Sequence, residues 1–335
     1  MKNLVGRSSG IGSWPGTDVL DAARTTLGEL PEPAVPYLVE LPGRGPGSDL
    51  IGRGAVLLVD TPVDLQPSGW RLVARPGRDL DRARGMFRQD LDVLAEVADG
   101  YAGPLKVQVA GPWTLAASVY LPRLERAVAD PGAVRDIVAA LAEGVNRHVG
   151  EIRRLVPGAE VVVQLDEPSI GAVLLGRLRT ASGFSVLRAV DETVLVEGLR
   201  AVLDAARSAG ATHTLVHTCA AEVPLPLLTR AGPEGVSLDV SLLGAAGWEA
   251  LAPHLESGLV LWAGAVPTSG GAPSPATVAD AVWTPWRRLG LDVHLLDQVV
   301  ITPTCGLASS SPAVARTLLS RAGAGARELA SRAQG

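Results

Sequence analysis

The sequence has few of the residues that mark several classes of protein. Among its 335 residues there are only two cysteines and 4% aromatic residues, and just two of its 30 basic residues are lysines, Lys2 and Lys106. Two cysteines are too few for a disulfide-stabilised secreted scaffold. No apolar run approaches the roughly 18 residues of a membrane span, and no run of basic residues offers a nucleic-acid surface. We therefore expect a protein that binds neither membranes nor nucleic acids.

Other absences concern targeting and nucleotide binding. The first residues, Met1–Arg7, lack the apolar segment of a signal peptide, so we expect a cytoplasmic location. Gly10-Ile11-Gly12 is not followed by the third glycine of a dinucleotide-binding turn. The glycine-rich stretch Gly43–Gly54 contains no lysine, which excludes a phosphate loop of the Walker type. We expect that stretch to be a mobile loop.

The chain does contain an alternation of apolar runs and segments with helical periodicity. Its 47% hydrophobic composition and net charge of −5 are those of a globular domain. Strands that alternate with helices pair in parallel through right-handed crossovers, and eight such units favour a (β/α)8 TIM barrel. We predict one catalytic barrel domain over residues 1–335. The predicted strands are Arg7–Ser13, Tyr37–Leu41, Leu105–Ala110, Glu160–Leu165, Thr214–His217, Val236–Val240, Gly258–Trp262 and Gln298–Thr302.

A further pair of apolar runs lies between the second and third predicted strands. Ala55–Val59 and Trp70–Ala74 are separated by a proline-containing break. Two such runs around a break predict a β-hairpin inserted after the second strand.

Chemically competent side chains cluster at the predicted strand ends, where a TIM barrel has its active site. His217 and Cys219 follow the fifth strand, Asp239 lies at the end of the sixth, and Cys305 follows the eighth. Histidine, two cysteines and a carboxylate are a plausible tetrahedral zinc set. The alternative is that both cysteines are buried as small hydrophobic residues.

Two adjacent carboxylates, Asp166 and Glu167, follow the fourth strand. Either they cap a neighbouring element or they bind an ammonium or hydroxyl group, and the sequence leaves both readings open. The first strand ends at Ile11, Gly12 and Ser13, where the glycine permits a close backbone approach and the serine hydroxyl can donate to a carboxylate.

Four segments together resemble the catalytic barrel of cobalamin-independent methionine synthase: Ile11–Pro15, Gln164–Pro168, His217–Cys219 and Thr304–Leu307. The resemblance spans nearly the whole chain in order. It implies zinc-dependent methyl transfer to the thiol of homocysteine, forming methionine, in a short single-domain form.

The same resemblance assigns roles to individual residues. It implies Zn²⁺ held by His217, Cys219 and Cys305, with Asp239 in place of the family's usual glutamate. The carboxylate of homocysteine is expected at Ser13 and the backbone of Ile11, Gly12 and Ser13. Asp166 is the candidate catalytic residue and is expected to bind the amino group, and Glu40 takes the place of a further family glutamate.

The sequence departs from the family in two ways that bear on the methyl donor. It has no counterpart of the family's N-terminal barrel, and Ala265-Val266-Pro267 replaces a His-Ser-Pro motif whose histidine helps to protonate the departing folate. Methylcobalamin needs no such proton. The sequence therefore favours methylcobalamin, supplied by a corrinoid protein, and leaves methyltetrahydrofolate as the alternative donor.

Two other functions compete with this interpretation. One is a non-catalytic barrel that binds a ligand or a protein partner. The other is a metal-free relative of the porphyrinogen decarboxylases, in which Arg44 and Arg53 would bind the ring; that reading leaves both cysteines unexplained.

Overall fold

The computed structural model describes residues 6–334, which form an α/β fold. Residues 1–5, part of the stretch in which no signal peptide is expected, lie outside the described residues. The strands within 6–334 are β1 (Val63–Gln66), β2 (Gly69–Leu72), β3 (Ala102–Ala110), β4 (Gly158–Asp166), β5 (His213–Thr218), β6 (Gly235–Asp239), β7 (Val260–Val266) and β8 (Val299–Pro303).

The helices of the described part of the chain alternate with these strands. They are α1 (Val19–Glu29), α2 (Leu50–Leu57), α3 (Arg78–Val97), α4 (Pro112–Ser118), α5 (Pro131–Leu155), α6 (Ile170–Leu174), α7 (Glu192–Ser208), α8 (Leu225–Arg230), α9 (Gly244–Glu256), α10 (Pro275–Leu289) and α11 (Pro312–Gln334). Between residues 6 and 334, no helix combines the length and the apolar character needed to cross a membrane.

Helix α5 illustrates how the sequence produces these elements. The carboxylate of Asp130 accepts a hydrogen bond from the backbone N–H of Ala133 at 2.8 Å and so caps the helix, and Pro131 occupies its first turn. Ile137 and Leu141 are four residues apart and both fully buried. This apolar face packs against α7 and β4, which holds the helix to the outside of the sheet.

Strands β3 to β8 form one parallel sheet in sequential order. All five neighbouring pairs are parallel, so every strand has its C-terminal end at the same edge of the sheet. That edge gathers the residues at which the strands end, and the site described below lies there.

The first two predicted strands do not form regular ladders. The segments 8–13 and 35–40 make only isolated parallel bridges: Ser8 to Ile301 on β8, Ser9 to Val35, Ser13 to Glu40, and Tyr37 to Lys106 on β3. Glycines in the first segment and a proline in the second interrupt regular pairing, because proline has no N–H to donate. The structure therefore has a curled six-stranded parallel sheet with two extended segments along its edges, rather than the predicted eight-stranded ladder.

The segment after the second predicted strand also differs from the prediction. Gly43–Gly54 is not a mobile loop, since a 3-10 turn occupies Pro42–Arg44 and α2 begins at Leu50. Ala55–Val59 belongs largely to α2 instead of a strand, because Asp49 caps this helix by accepting from the N–H of Gly52 at 2.7 Å. The antiparallel pair in this region is β1 with β2.

The curled sheet encloses a small core of its own, distinct from the core between sheet and helices. Its buried apolar residues come from four strands and one edge segment: Val35, Val162, Leu215, Val260, Trp262 and Val300. Strands β3, β4 and β6 also carry buried polar residues, Lys106, Gln164 and Ser237. The interior of the sheet therefore changes from apolar to polar along its strands.

Candidate functional site

The two cysteines meet at the C-terminal edge of the sheet. Cys219 follows β5 and Cys305 follows β8, and their sulfur atoms lie 3.5 Å apart as free, partly exposed thiols. A hydrogen bond from the Cys219 thiol lowers the pKa of Cys305 to about 6. Two thiolates on one tetrahedral zinc, with bonds of about 2.3 Å, have their sulfurs about 3.8 Å apart. The spacing of this pair therefore fits a shared metal ion.

His217 lies on β5 beside the thiol pair and is buried. Its Nδ1 faces Ser237 on β6, 3.0 Å from the hydroxyl and 3.2 Å from the carbonyl oxygen. Burial lowers the pKa of His217 to about 4, so the ring is neutral near pH 7. A contact from one ring nitrogen to a carbonyl is how metal-binding histidines are oriented, and it leaves Nε2 for a ligand.

Asp239, the fourth residue of the predicted zinc set, makes local contacts. Its Oδ1 accepts hydrogen bonds from the N–H of Ser241 at 3.0 Å and from the Ser241 hydroxyl at 2.6 Å. Its charge acts on Cys305, so the two side chains are neighbours. Among the residues that the structure describes, however, no three His, Cys, Asp or Glu side chains converge tightly enough to hold a metal ion. The thiol pair and the donor chemistry fit zinc, whereas the set of four is not assembled.

Asp166 and Glu167, adjacent at the end of β4, have different partners. Asp166 faces the interior, where Oδ1 accepts from Gln164 Nε2 at 2.7 Å. Glu167 accepts from the N–H groups of Trp113 and Thr114, both at 2.9 Å, and from the Thr114 hydroxyl at 2.8 Å. Glu167 therefore caps the start of α4, and only Asp166 is free to meet a ligand.

Burial controls the charge of Asp166. Desolvation raises its pKa to about 8, while the charge of Lys106 and the hydrogen bond from Gln164 act to lower it. The charge of Cys305 also acts on Asp166, so the carboxylate lies within electrostatic reach of the thiol pair. A cation brought close to Asp166 would stabilise its ionised form.

The segment Ile11–Ser13 lies against the same edge. The carbonyl oxygen of Ile11 accepts from Lys106 Nζ at 2.6 Å and from Gln164 Nε2 at 2.9 Å. Ser13 Oγ accepts from the N–H of Ala308 at 3.4 Å, which places it beside the turn that carries Cys305. The segment predicted to bind a carboxylate is thus adjacent to the thiols.

Two glycines make this arrangement possible. Gly12 has φ +153, and the side chain of Gln108 fills the space that a Cβ there would need. A Cβ at Gly306 would overlap Ser13 Oγ. A larger residue at Gly306 would displace Ser13, and one at Gly12 would displace Gln108.

Glu40 joins the same group from the second edge segment. Its N–H donates to the carbonyl of Gly12 at 3.0 Å, and its carbonyl accepts from the N–H of Trp14 at 2.8 Å. The carboxyl group is buried, and desolvation raises its pKa to about 7 against the charges of Arg53 and Lys106. The structure therefore places Glu40 next to Ser13; its role in binding the substrate stays a prediction.

Arg44 and Arg53 are held by a carboxylate that the sequence interpretation did not single out. Arg44 Nη2 lies 2.5 and 2.7 Å from the two carboxylate oxygens of Asp90 on α3. Arg53 Nη1 donates to Asp90 at 3.3 Å and to the carbonyl of Val39 at 2.6 Å. Both guanidinium groups are engaged in this network, which weighs against a ring-binding role.

Lys106 and Gln164 were missed as well, although one signal was present. Lys106 interrupts the apolar run Leu105–Ala110 and is one of only two lysines in the chain. A charged residue inside a buried strand requires a partner or a task.

Comparisons with known proteins bear on the family and on the fold. A family model described as the catalytic domain of cobalamin-independent synthase matches residues 7–328. A B12-independent methionine synthase from Shewanella sp. W3-18-1, solved in complex with selenomethionine, has a TM-score of 0.61 and 14% identity, covering 98% of each chain. A putative vitamin-B12 independent methionine synthase from Listeria monocytogenes has a TM-score of 0.53 and 14% identity, covering 97% of each chain. No curated protein matches the chain.

Proposed function

Since the chain belongs to the family of cobalamin-independent synthase catalytic domains, and is on that ground a homocysteine methyltransferase, we propose that it methylates the homocysteine thiol with the help of zinc. The observation that carries this proposal is the thiol pair of Cys219 and Cys305, 3.5 Å apart beside Asp166. It unites a metal-binding chemistry with an acceptor for an ammonium group.

Zinc would be held by Cys219, Cys305 and Nε2 of His217, with Asp239 as the proposed fourth ligand. Bound zinc would keep the thiol of homocysteine deprotonated at neutral pH. The contact between His217 and Ser237 supports this set because it orients the ring. Asp239 would have to exchange its contact with Ser241 for the metal.

The chain's own residues would bind the amino-acid end of homocysteine. We propose that Asp166, with Glu40 beside it, receives the ammonium group. Ser13 and the backbone of Ile11–Ser13 would receive the carboxylate. Because both groups are fixed, the sulfur is directed toward the thiol pair, and orientation of this kind supplies much of the rate of a bimolecular transfer.

The expectation of a methylcobalamin donor and a corrinoid protein was wrong, because the chain belongs to a cobalamin-independent family. The lack of an acid at Ala265–Pro267 does not by itself select a donor. Methyltetrahydrofolate is the remaining candidate. In that reaction a thiolate electron pair forms the C–S bond, the C–N bond breaks, and the departing nitrogen takes up a proton, which balances the proton lost by the thiol.

Three coarser expectations remain proposals about the molecule as a whole. We propose that segments 8–13 and 35–40 complete an eight-membered barrel, because their parallel bridges connect β8 to β3. The single domain over residues 1–335 and the cytoplasmic location stay predictions.

The competing functions lack a comparable observation. A metal-free decarboxylase relative would need Arg44 and Arg53 for its ring, and Asp90 engages both. A non-catalytic barrel would not account for membership in an enzyme family.

Elemental analysis and a methylation assay test the proposal. Wild type should contain about one zinc per chain and convert homocysteine and methyltetrahydrofolate to methionine. Cys219→Ser should lose both properties, whereas the exposed His294→Gln should keep both. Wild type that stays metal-free after zinc supplementation would contradict the zinc site, and full activity in Cys219→Ser would do the same.

A further inference from the structure

Lys106 is a fully buried lysine at the centre of the sheet interior. It lies on β3 with no solvent exposure, and its Nζ contacts groups from two other parts of the chain. It donates to the carbonyl oxygen of Ile11 at 2.6 Å and to Gln164 Oε1 at 2.8 Å. Its ammonium group also lies 5.3 Å from the centre of the Tyr37 ring.

The contact with Lys106 fixes the amide of Gln164. Because a lysine only donates hydrogen bonds, it holds Oε1 toward itself and turns Nε2 the other way. That Nε2 donates to Asp166 Oδ1 at 2.7 Å and to the carbonyl of Ile11 at 2.9 Å. Lys106 and Gln164 therefore form one connected group with Asp166 and Ile11.

This group joins the two ends of the pocket proposed above. Asp166 is the proposed acceptor for the ammonium group of homocysteine, and Ile11 begins the segment proposed for its carboxylate. Asp166 and Ile11 are 155 positions apart in the chain. Asp166 ends β4, whereas Ile11 lies in the edge segment 8–13. Lys106 and Gln164 contact both of them, so they set the distance between the two binding groups.

The charge balance of the interior gives Lys106 a second effect on the same pocket. The carboxylates of Asp166 and Glu40 both act on it electrostatically. Lys106 is thus the cation that acts on Asp166, whereas Arg53 acts on Glu40 as well. A substrate ammonium group placed beside Asp166 would add a second positive charge there and stabilise its ionised form.

We propose, on the basis of the proposed function, that Lys106 and Gln164 are positioning residues that make the pocket selective for thiols carrying both an α-ammonium and an α-carboxylate group. Lys106 touches no substrate atom in this assignment and acts through Gln164 and Ile11. The near absence of lysine elsewhere is consistent with a specific task, since arginine supplies nearly all the other basic charge.

Binding measurements test this assignment without a methyl donor. Isothermal titration calorimetry would compare L-homocysteine with 4-mercaptobutyrate, which lacks only the amino group. Wild type should prefer homocysteine strongly. Lys106→Met, which keeps an unbranched side chain one atom shorter and removes the amino group, should reduce that preference by about 100-fold, the effect expected when a binding group is displaced by about 1 Å.

A second variant tests the same proposal if Lys106→Met does not fold. Gln164→Glu keeps an acceptor for Lys106 but removes the donor to Asp166 and Ile11, so it should reduce the preference to a similar extent. Thr302→Val is the matched control, because Thr302 is also fully buried in β8 and its hydroxyl has no hydrogen-bond partner among the residues of the described chain. It should bind both compounds like wild type.

The outcomes separate this inference from the function on which it rests. A wild type that does not bind homocysteine overturns both. A wild type that prefers homocysteine, together with a folded Gln164→Glu that retains the full preference, overturns the positioning role alone. Equal loss of affinity for both compounds also overturns it, because a merely structural role would produce that result.

Discussion

Two buried charged networks lie within electrostatic reach of Glu40, and their charges balance differently. In the inner network, inside the sheet, Lys106 acts on both Asp166 and Glu40, and Arg53 acts on Glu40 as well. In the outer network, two arginines, Arg44 and Arg53, share the single carboxylate of Asp90. The inner network has two carboxyl groups and one lysine, whereas the outer network has two arginines and one carboxylate.

This difference suggests different roles: we expect the inner network to bind a ligand and the outer network to stabilise the fold. Arg44 and Arg53 connect the segment before α3 to that helix through Asp90, which offsets one of their two positive charges. Glu40 also acts on Arg53. In the inner network, the proposed ammonium group of homocysteine would add a positive charge beside Asp166. No such ligand is proposed for the outer network.

The largest effect should come from removing the shared carboxylate of the outer network. Asp90→Asn leaves two buried guanidinium groups without a counter-charge, so the free energy of unfolding should fall by about 3–5 kcal/mol. Urea denaturation measures it. Asp81→Asn on the same helix is the control, since its ion pair with Arg84 is exposed and should contribute little. A loss of unfolding free energy in Asp90→Asn no larger than that of the control would show that this network does not stabilise the fold.

A smaller effect, on binding rather than folding, should follow from the inner network. Asp166→Asn removes the proposed partner of the ammonium group, so homocysteine affinity should fall by about 100-fold, or about 2.7 kcal/mol. Stability should not fall, because a buried carboxylate that favours protonation is replaced by a neutral group. Calorimetry and urea denaturation measure the two quantities. Glu160→Gln, at the exposed opposite end of β4, is the control; unchanged affinity in Asp166→Asn would refute the assignment.

The smallest effect concerns Glu40, on which both networks act. Because burial raises its pKa from 4.5 to about 7, the folded state binds a proton that the unfolded state releases at lower pH. Its contribution to stability is therefore present below pH 4.5 and is lost as the pH rises through 7. Between pH 5 and 8, the free energy of unfolding of Glu40→Gln should therefore fall by about 2 kcal/mol less than that of wild type. Urea denaturation across that range measures it, with the exposed Glu197→Gln as control; identical slopes in wild type and Glu40→Gln would contradict the prediction.

The parallel strands and their chemically active ends were predictable because both signals are local. Apolar runs end in His217, Asp239 or the residue before Cys305, and parallel pairing brings such ends to one edge. The run Ala55–Val59 was misassigned because short apolar runs suit a helix and a buried strand equally, and a cap at Asp49 decided between them.

The inner network was not predictable, for a different reason. Both faces of a parallel strand are buried, so alternation along β3 does not reveal which residues face the interior. Adjacent residues of a strand point to opposite faces, which explains why Asp166 and Glu167 differ in role. Which of them faces inward depends on Thr114 and Gln164, contacts made only in the folded chain.

Because lysine is scarce in this sequence, chemical labelling of the Lys106 amine can measure how often the sheet interior opens. The only other primary amines of this sequence are Lys2 and the amino terminus. An amine-acylating reagent reaches the Lys106 nitrogen only when the strands around it separate, because that residue has no exposed surface in the folded chain. The labelling rate of the peptide that contains Lys106 therefore reports how often the interior opens. A bound amino acid that bridges Asp166 and Ile11 should lower this labelling rate.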